Sequence, residues 1–449
     1  PFSLGIDIGT TSVKVAAKSS TELIEQSRPH DASVGPGIQN VRKILETCRA
    51  TIDDVIDALP KDVDFRAVAV SAQMHGVCTW NGREVNERDF EASISLLYTW
   101  EYGRVDEEQL REWRTAGFDV NPGYGCVTLA HLEKLGEIDE KHNRAGTIGD
   151  ILVSILCGDS LTSHSMSDQM ADSFGLTDGK RWIGPAAKQG HWQSLLPSIV
   201  SPEHRAGETR LFGRLERPAV VLVALGDLQA TMYPLLPDEN CVALNLGTSA
   251  QMAFRQSGEK DVEEYEKQLL ARSTCDLRPF FNNSNVIVSA SMNGGNMVQS
   301  EIEKRLGSAG NIAELLQAAD SFATRNPNGP YSVSATGLFH RERGMAEPEP
   351  LQIHRTDPND GRPISDQEAV AAVSRRVIDN MLSLTALAPH HQRVLLVGSA
   401  GYSRFAVPLR AALDKNMTGG GRIEIVKPEG STSAAAGAAA FAWDKSGSN

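Results

Sequence analysis

Residues 220–231, VVLVALGDLQAT, carry six apolar side chains in a row and then stop at Gly226, Asp227 and Gln229. The run reads as a buried strand, so a carboxylate and an amide are delivered at its carboxyl end, where open α/β sheets collect ligands. A carboxylate fixed there could accept the proton of a hydroxyl that attacks a terminal phosphoryl group. Three other segments end in the same small or polar way: Gln73-Met74-His75-Gly76, Asn293-Gly294-Gly295-Asn296 and Gly398-Ser399-Ala400-Gly401. A repeat adds to this, because LGIDIGTTSVKVA at 4–16 is answered by VALNLGTSAQMAF at 242–254. Each half alternates around a Gly-Thr-Thr or Gly-Thr-Ser turn, the pattern of a β-hairpin. Glycine lets a ligand approach the backbone closely, and the hydroxyls of Thr10, Thr11, Thr248 and Ser249, with the turn N–H groups, can surround phosphate oxygens. The first hairpin has Asp7 where the second has Asn245. A hard divalent cation prefers the charged oxygen, which puts Mg2+ near Asp7. The chain has no GxxxxGK[ST] loop, so this is not a P-loop protein.

Taken singly, most of these residues have a plainer reading. An Asp after a strand commonly caps the next helix. Met74 reads as core, His75 as a structural histidine, and Gln73 says little. Trp100 and Arg104 in TWEYGR read as an aromatic at a helix start and a solvated charge. Two hairpins in matched context shift the balance toward a site, since internal repeats report architecture. They predict two domains of related topology, 1–225 and 226–449, facing one another across a central cleft.

Coarser signals supply the elements around these residues. Apolar residues from Ile38 to Leu59 recur at helical spacing, predicting a long amphipathic helix, and 67–71 makes a short apolar strand. Ser365 and Glu368 form a capping-box pattern ahead of the stripe Val370, Val373, Val377, Met381, Leu384. The segment 341–363 is Pro-rich and polar and reads as a surface loop. Residues 394–397 predict one more buried strand, and GSTSAAAGAAAFA at 430–442 a tightly packed helix without chemistry of its own. Strands alternating with helices in both halves argue for the α/β class.

The 449 residues bear 44 basic and 57 acidic side chains, a net charge of −13, and no basic cluster interleaved with aromatics, so nucleic acid is not an expected partner. Anionic nucleotides are still allowed, because backbone N–H groups and a metal can hold phosphates. No apolar run approaches the length of a membrane helix, and no secretory signal is visible, so a cytoplasmic location is expected. The six cysteines stand far apart with no zinc-like spacing and read as reduced, buried thiols.

In GIDIGTTSVKV, SAQMHGV, TWEYGR, LGDLQA, LNLGTSAQ, ATGL and EGSTSAAAGAAAFA the chain resembles the FGGY carbohydrate kinases, members of the actin-like, ribonuclease-H-like superfamily, over nearly its full length. GYGCVT, AGTIGDILVSILCG, MSDQMADSFG and ASMNGGNM are most similar to the branch acting on the seven-carbon ketose sedoheptulose. The resemblance implies a two-domain actin-like ATPase fold and ATP- and Mg2+-dependent phosphorylation of a small-molecule ketose by a monomer or homodimer. Position by position, it implies Asp227 as general base and Asp7 as the metal-proximal acid. Sugar contacts fall on Gln73, Met74, His75, Trp100, Arg104, Asp227 and Gln229. Nucleotide contacts fall on Thr10, Thr11, Lys14, Gly247, Thr248, Gly295, Gly398, Ser399 and Gly401. Tyr102 stands where relatives usually carry Asp in the TW-x-D-G-R block, and the GSAGYSR loop is one residue shorter than the family's usual version. Within the same resemblance the alternatives are a kinase for another ketose such as xylulose or ribulose, since the QMHG loop is shared widely, and, from other classes, a partner-stimulated actin-like ATPase or an inactive sugar sensor.

Overall fold

The computed structural model describes residues 1–60, 63–85, 94–256, 260–272, 274–307, 310–327, 331–342, 346–385, 387, 391–416 and 423–446. It forms two compact units: Pro1–Pro234 with Pro279–Asn283 and Ser431–Asn449, and Leu235–Arg278 with Ser284–Gly430. The sequence reading divides the chain once, after residue 225. In the structure Asp227 stays with the first unit, and the chain returns to that unit at its C-terminal helix.

The first unit is built on β1 (Phe2–Ile8), β2 (Ser12–Lys18), β3 (Leu23–Pro29), β4 (Phe65–Ala72), β5 (Ala219–Leu222) and β6 (Leu225–Gly226). Its sheet runs β5-β4-β1-β2-β3, with Arg205–Thr209 outside β5 and β6 also paired to β4. β1 pairs antiparallel with β2 and parallel with β4. Every residue of β1 is buried. α1 (Val41–Ala58) covers the sheet with an apolar face that includes Ile44, Leu45, Cys48 and Ile52, and the Asn40 side chain caps it by accepting from Lys43 N. The expected helix is thus present, except that Ile38 lies in a two-residue strand before it and Leu59 is its C-cap. Two short helices complete the functional end: α2 (Asp168–Phe174) and α3 (Asp227–Met232).

The second unit repeats the plan with β7 (Cys241–Leu246), β8 (Ala250–Arg255), β9 (Asn285–Ser291), β10 (Arg393–Gly398) and β11 (Glu424–Val426). Its order β9-β8-β7-β10-β11 matches β3-β2-β1-β4-β5, with antiparallel and parallel pairs in the same places. The two hairpins seen in the sequence are therefore the first two strands of two equivalent sheets. Around the second sheet lie α4 (Gly295–Leu306) and α5 (Asp366–Leu384). α5 begins with the reciprocal Ser365–Glu368 capping box that the sequence predicts. The polar loop at 341–363 is less exposed than expected. Glu342 is buried and Gln352–Arg355 pairs with Val333–Thr336, while residues 343–345 lie outside the described residues.

The C-terminal helix Ala434–Ser446 packs on β1, β2, β4 and α3. Its small side chains are what bring it in. A Cβ on Gly5 of β1 would sit 2.0 Å from the Ala435 carbonyl oxygen, and one on Gly437 would sit 1.9 Å from that of Ala230 in α3. Neither position has room for a methyl group. Gly437→Ala is expected to push this helix off α3, destabilising the protein by about 1–3 kcal/mol as overpacking does; thermal unfolding checks this.

Candidate active site

Strand register brings the two acidic residues together. Asp7 of β1 lies opposite Ser71 of β4, and Ser71 in turn lies opposite Leu225 of β6. Asp227 comes two residues later as the first residue of α3, its Oδ1 accepting from Leu228 N at 2.8 Å. The apolar run 220–225 is not one strand as its composition suggests. Val221 pairs with Val68 and Leu225 with Ser71, so one extra residue is accommodated between β5 and β6. Such an insertion bends a strand end and re-aims the residues after it.

Asp7 is buried, and its Oδ1 accepts from Ser71 Oγ at 3.1 Å. Burial, with the Asp227 charge adding to it, pushes its carboxyl up to about 7, against the pull of the Ser71 hydrogen bond and of Lys14. Lys14 is the cross-strand partner of Asp7. Asp227 is half-buried, and burial pushes its carboxyl up to about 6 despite the Leu228 N–H. In the second hairpin the corresponding cross-strand pair is Asn245 and Gln251, so the charged pair belongs to the first hairpin and a neutral one to the second.

The residues expected from the sequence to contact a sugar, Gln73, Met74 and His75, gather at the same strand ends. Gln73 N donates to the Ile8 carbonyl, and its buried side chain donates from Nε2 to Gln39 Oε1 at 3.1 Å. Gln39 Nε2 passes the chain on to the Thr10 carbonyl at 2.7 Å. Trp100 Nε1 reaches Thr10 Oγ1 at 3.3 Å, although the indole is half exposed. Met74 comes so close to Gly226 that a Cβ there would lie 3.0 Å from its sulfur. His75 holds a left-handed backbone (φ 73°), and its ring stacks on Tyr124 at 4.7 Å. The turn itself is braced, with Gly9 N donating to Ser12 O and His30 N to Thr11 O, while Thr11 stays exposed.

Two expected sugar contacts look different. Gln229 is fully buried, and its Nε2 donates to the Pro279 carbonyl at 3.2 Å. Arg104 is exposed, and Tyr102 before it is buried edge-to-face on Tyr98 at 4.8 Å. The departure from the family block at residue 102 is therefore a packing residue.

In the second unit the expected nucleotide residues converge. Gly295 N donates to Gly247 O at 2.9 Å and Asn296 N to Thr248 O at 3.1 Å, so the start of α4 rests on the β7–β8 turn. A Cβ on Gly295 would lie 2.5 Å from Gly247 O. Gly398 pairs with Leu246 and holds φ 61°, and Ser399 and Gly401 form the short turn after it. Glu342 was missed by sequence reading. Its Oε1 accepts from Ser291 Oγ, Asn293 Nδ2 and Asn380 Nδ2 at 2.5, 2.7 and 2.8 Å, anchoring the Asn293-Gly294-Gly295 corner from below. A Glu inside a polar loop gives no local signal of burial.

A doubled β3-β2-β1-β4-β5 sheet with a Gly-Thr turn at each first hairpin is the two-domain actin-like ATPase fold, α/β in class. Solved sugar kinases share it over the full chain. A xylulose kinase from Brucella ovis superposes with a TM-score of 0.75 at 17% identity, covering 100% of this chain and 91% of that one. A glycerol kinase from Plasmodium falciparum, solved with ADP, gives 0.70 at 16%, covering 99% and 89%. No family model matches the chain. Relatives found by sequence are more specific. The sedoheptulokinases of Mus musculus and Homo sapiens are each 32% identical over 331 and 334 residues, 66% of this chain and 67% and 68% of theirs. The chain belongs to the FGGY family of carbohydrate kinases. No helix among the described residues is long and apolar enough to cross a membrane.

The carboxylate pair predicts a stability signature. Asp7 is raised from an ordinary 3.8 to about 7, so the folded state binds more protons than the unfolded one in that interval, and the cost of burying its charge, with the Asp227 charge adding to it, grows as pH rises through it. Asp7→Asn keeps the acceptor for Ser71 and removes the charge. Its melting temperature should exceed that of the parent at about pH 8, with the gain vanishing near pH 4; differential scanning fluorimetry at both pH values checks this.

Proposed function

We propose that the protein transfers the γ-phosphoryl group of ATP directly to a terminal hydroxyl of sedoheptulose, giving sedoheptulose 7-phosphate, with Asp227 as general base. The observation that carries the mechanism is the half-buried Asp227 at the end of β6, in electrostatic contact with Asp7. The substrate rests on identity to the two sedoheptulokinases. With its carboxyl near 6, Asp227 is mostly ionised at neutral pH yet basic enough to take a hydroxyl proton. The transition state is loose, so the proton leaves late and holding the hydroxyl in line matters more than basicity. Gln73, Met74 and His75 orient the ketose. The turns at Thr10 and Thr11 and at Gly247 and Thr248 hold phosphate oxygens through hydroxyls and N–H groups, and Gly295, Gly398, Ser399 and Gly401 leave room for the nucleotide.

Asp7 fits a magnesium-bound triphosphate. Its carboxylate is buried beside a like charge, and a cation there relieves that repulsion. Among the described residues no cluster of three or more His, Cys, Asp or Glu could bind a metal by itself, so Asp7 would hold the ion only together with the triphosphate and water, as Mg2+ usually requires. When bound, the ion neutralises developing charge on the phosphate oxygens.

Asp227→Asn should lower kcat by about 10²–10⁴-fold while ATP binding persists. A near-parental turnover removes Asp227 from the role. The parent's kcat/KM should fall as pH drops through about 6, as Asp227 takes up its proton, and level off above about 7, a profile read by coupled ADP release. Across a panel of ketoses the same assay should favour sedoheptulose; a clear preference for a pentulose overturns the substrate assignment.

A further inference from the structure

Two segments noted above as branch markers, GYGCVT and MSDQMADSFG, meet in space. A Cβ on Gly125 would strike the Phe174 ring at 2.2 Å, one on Gly175 would lie 3.0 Å from the Tyr124 ring, and Cys126 Sγ donates to Gly175 O. What they enclose is His75. Its backbone N–H donates to Ser173 Oγ at 3.2 Å, its Nδ1 lies 2.7 Å from the Ser173 carbonyl, and its ring is stacked on Tyr124. A carbonyl only accepts, so Nδ1 carries the proton and Nε2 has the lone pair in the neutral ring. Ser173 Oγ donates its own proton to Met170 O at 2.8 Å, which leaves it an acceptor for His75 N.

That arrangement is needed because a left-handed backbone at a residue other than glycine is unfavourable and persists only where its surroundings enforce it. The same stretch grips the other side of the site. Ser167 Oγ donates to the Ala224 carbonyl, within the interruption between β5 and β6, and Gln169 Oε1 accepts from Gly226 N at 3.4 Å. Ser167, Gln169 and Ser173 are all fully buried, so their geometry is set by packing rather than by solvent.

We propose that Ser173 is a positioning residue for the ketose: it holds His75 in its left-handed conformation and single tautomer, and through α2 fixes that histidine relative to the backbone leading to Asp227. The proposal rests on the reading of Gln73-Met74-His75 as the sugar loop. It assigns the branch-specific segments a task, which is to set the spacing between the sugar loop and the base.

A double-mutant cycle tests it on the full chain. Ser173→Ala removes the acceptor for His75 N, and should raise KM for the ketose about three- to tenfold, the worth of one buried hydrogen bond, while KM for ATP stays within about twofold. His75→Asn, a residue that tolerates the left-handed region, should raise ketose KM by itself. In that background Ser173→Ala should add almost nothing. If the two effects instead multiply, or if Ser173→Ala shifts both KM values alike, Ser173 is merely structural and the proposal fails. If His75→Asn leaves ketose KM unchanged while Asp227→Asn abolishes transfer, the sugar-loop reading fails and takes the proposal with it, but the base assignment survives. Should Ser173→Ala not fold, Ser173→Gly serves in the same cycle.

Discussion

Two carboxylates are brought within electrostatic reach of each other by the hydrogen-bond register of three parallel strand ends. Asp7, Ser71 and Leu225 occupy one row, and Asp227 lies two residues beyond it. Nothing about either side chain favours this. Burial raises the proton affinity of both, the Asp227 charge raises that of Asp7 further, and Ser71, Lys14 and backbone N–H groups work the other way. The cost is carried by the sheet, whose central strand is buried throughout and cannot slip by one residue without exchanging the side chains packed on its two covered faces. A rigid sheet is thus the means by which an unfavourable charge pair is kept in one place.

The doubling of the fold has a chemical counterpart. Both units present a Gly-Thr turn at the end of the first strand, yet only the first has acid and base across its hairpin, Asp7 with Lys14, while the second has the neutral pair Asn245 and Gln251. Equivalent backbones therefore do unequal work. One turn is flanked by a charged pair and the other by a neutral one, with the Asn293 corner beside the second braced by Glu342.

What the sequence made legible was local. The hairpins announced themselves by alternation around a glycine turn, Asp227 by the apolar run in front of it, and the start of α5 by its capping box. What it concealed depended on partners far along the chain. Gln229 looks like a companion to Asp227, but it is fully buried and bonded to Pro279. Tyr102 sits in a polar block but buries against Tyr98, Glu342 sits in a loop but is a buried hub, and Ser173 sits in a segment that resembles the family branch without any sign that it touches His75. The single cut expected after residue 225 failed to anticipate the units for the same reason. A run of alanines and glycine says that a helix packs closely and is silent about which sheet receives it.

That last helix also imposes an order on biosynthesis. The strand it covers, β1, leaves the ribosome about 430 residues ahead of its cover. At the usual rate of about 5–20 residues per second, the roughly 200 residues separating Pro234 from Ala434 take about 10–40 s to make. Throughout that interval the amino-terminal sheet is translated yet roofless on one face. It is the kind of nascent intermediate on which chaperones act, and the earlier-made unit is completed only after the later one has been synthesised.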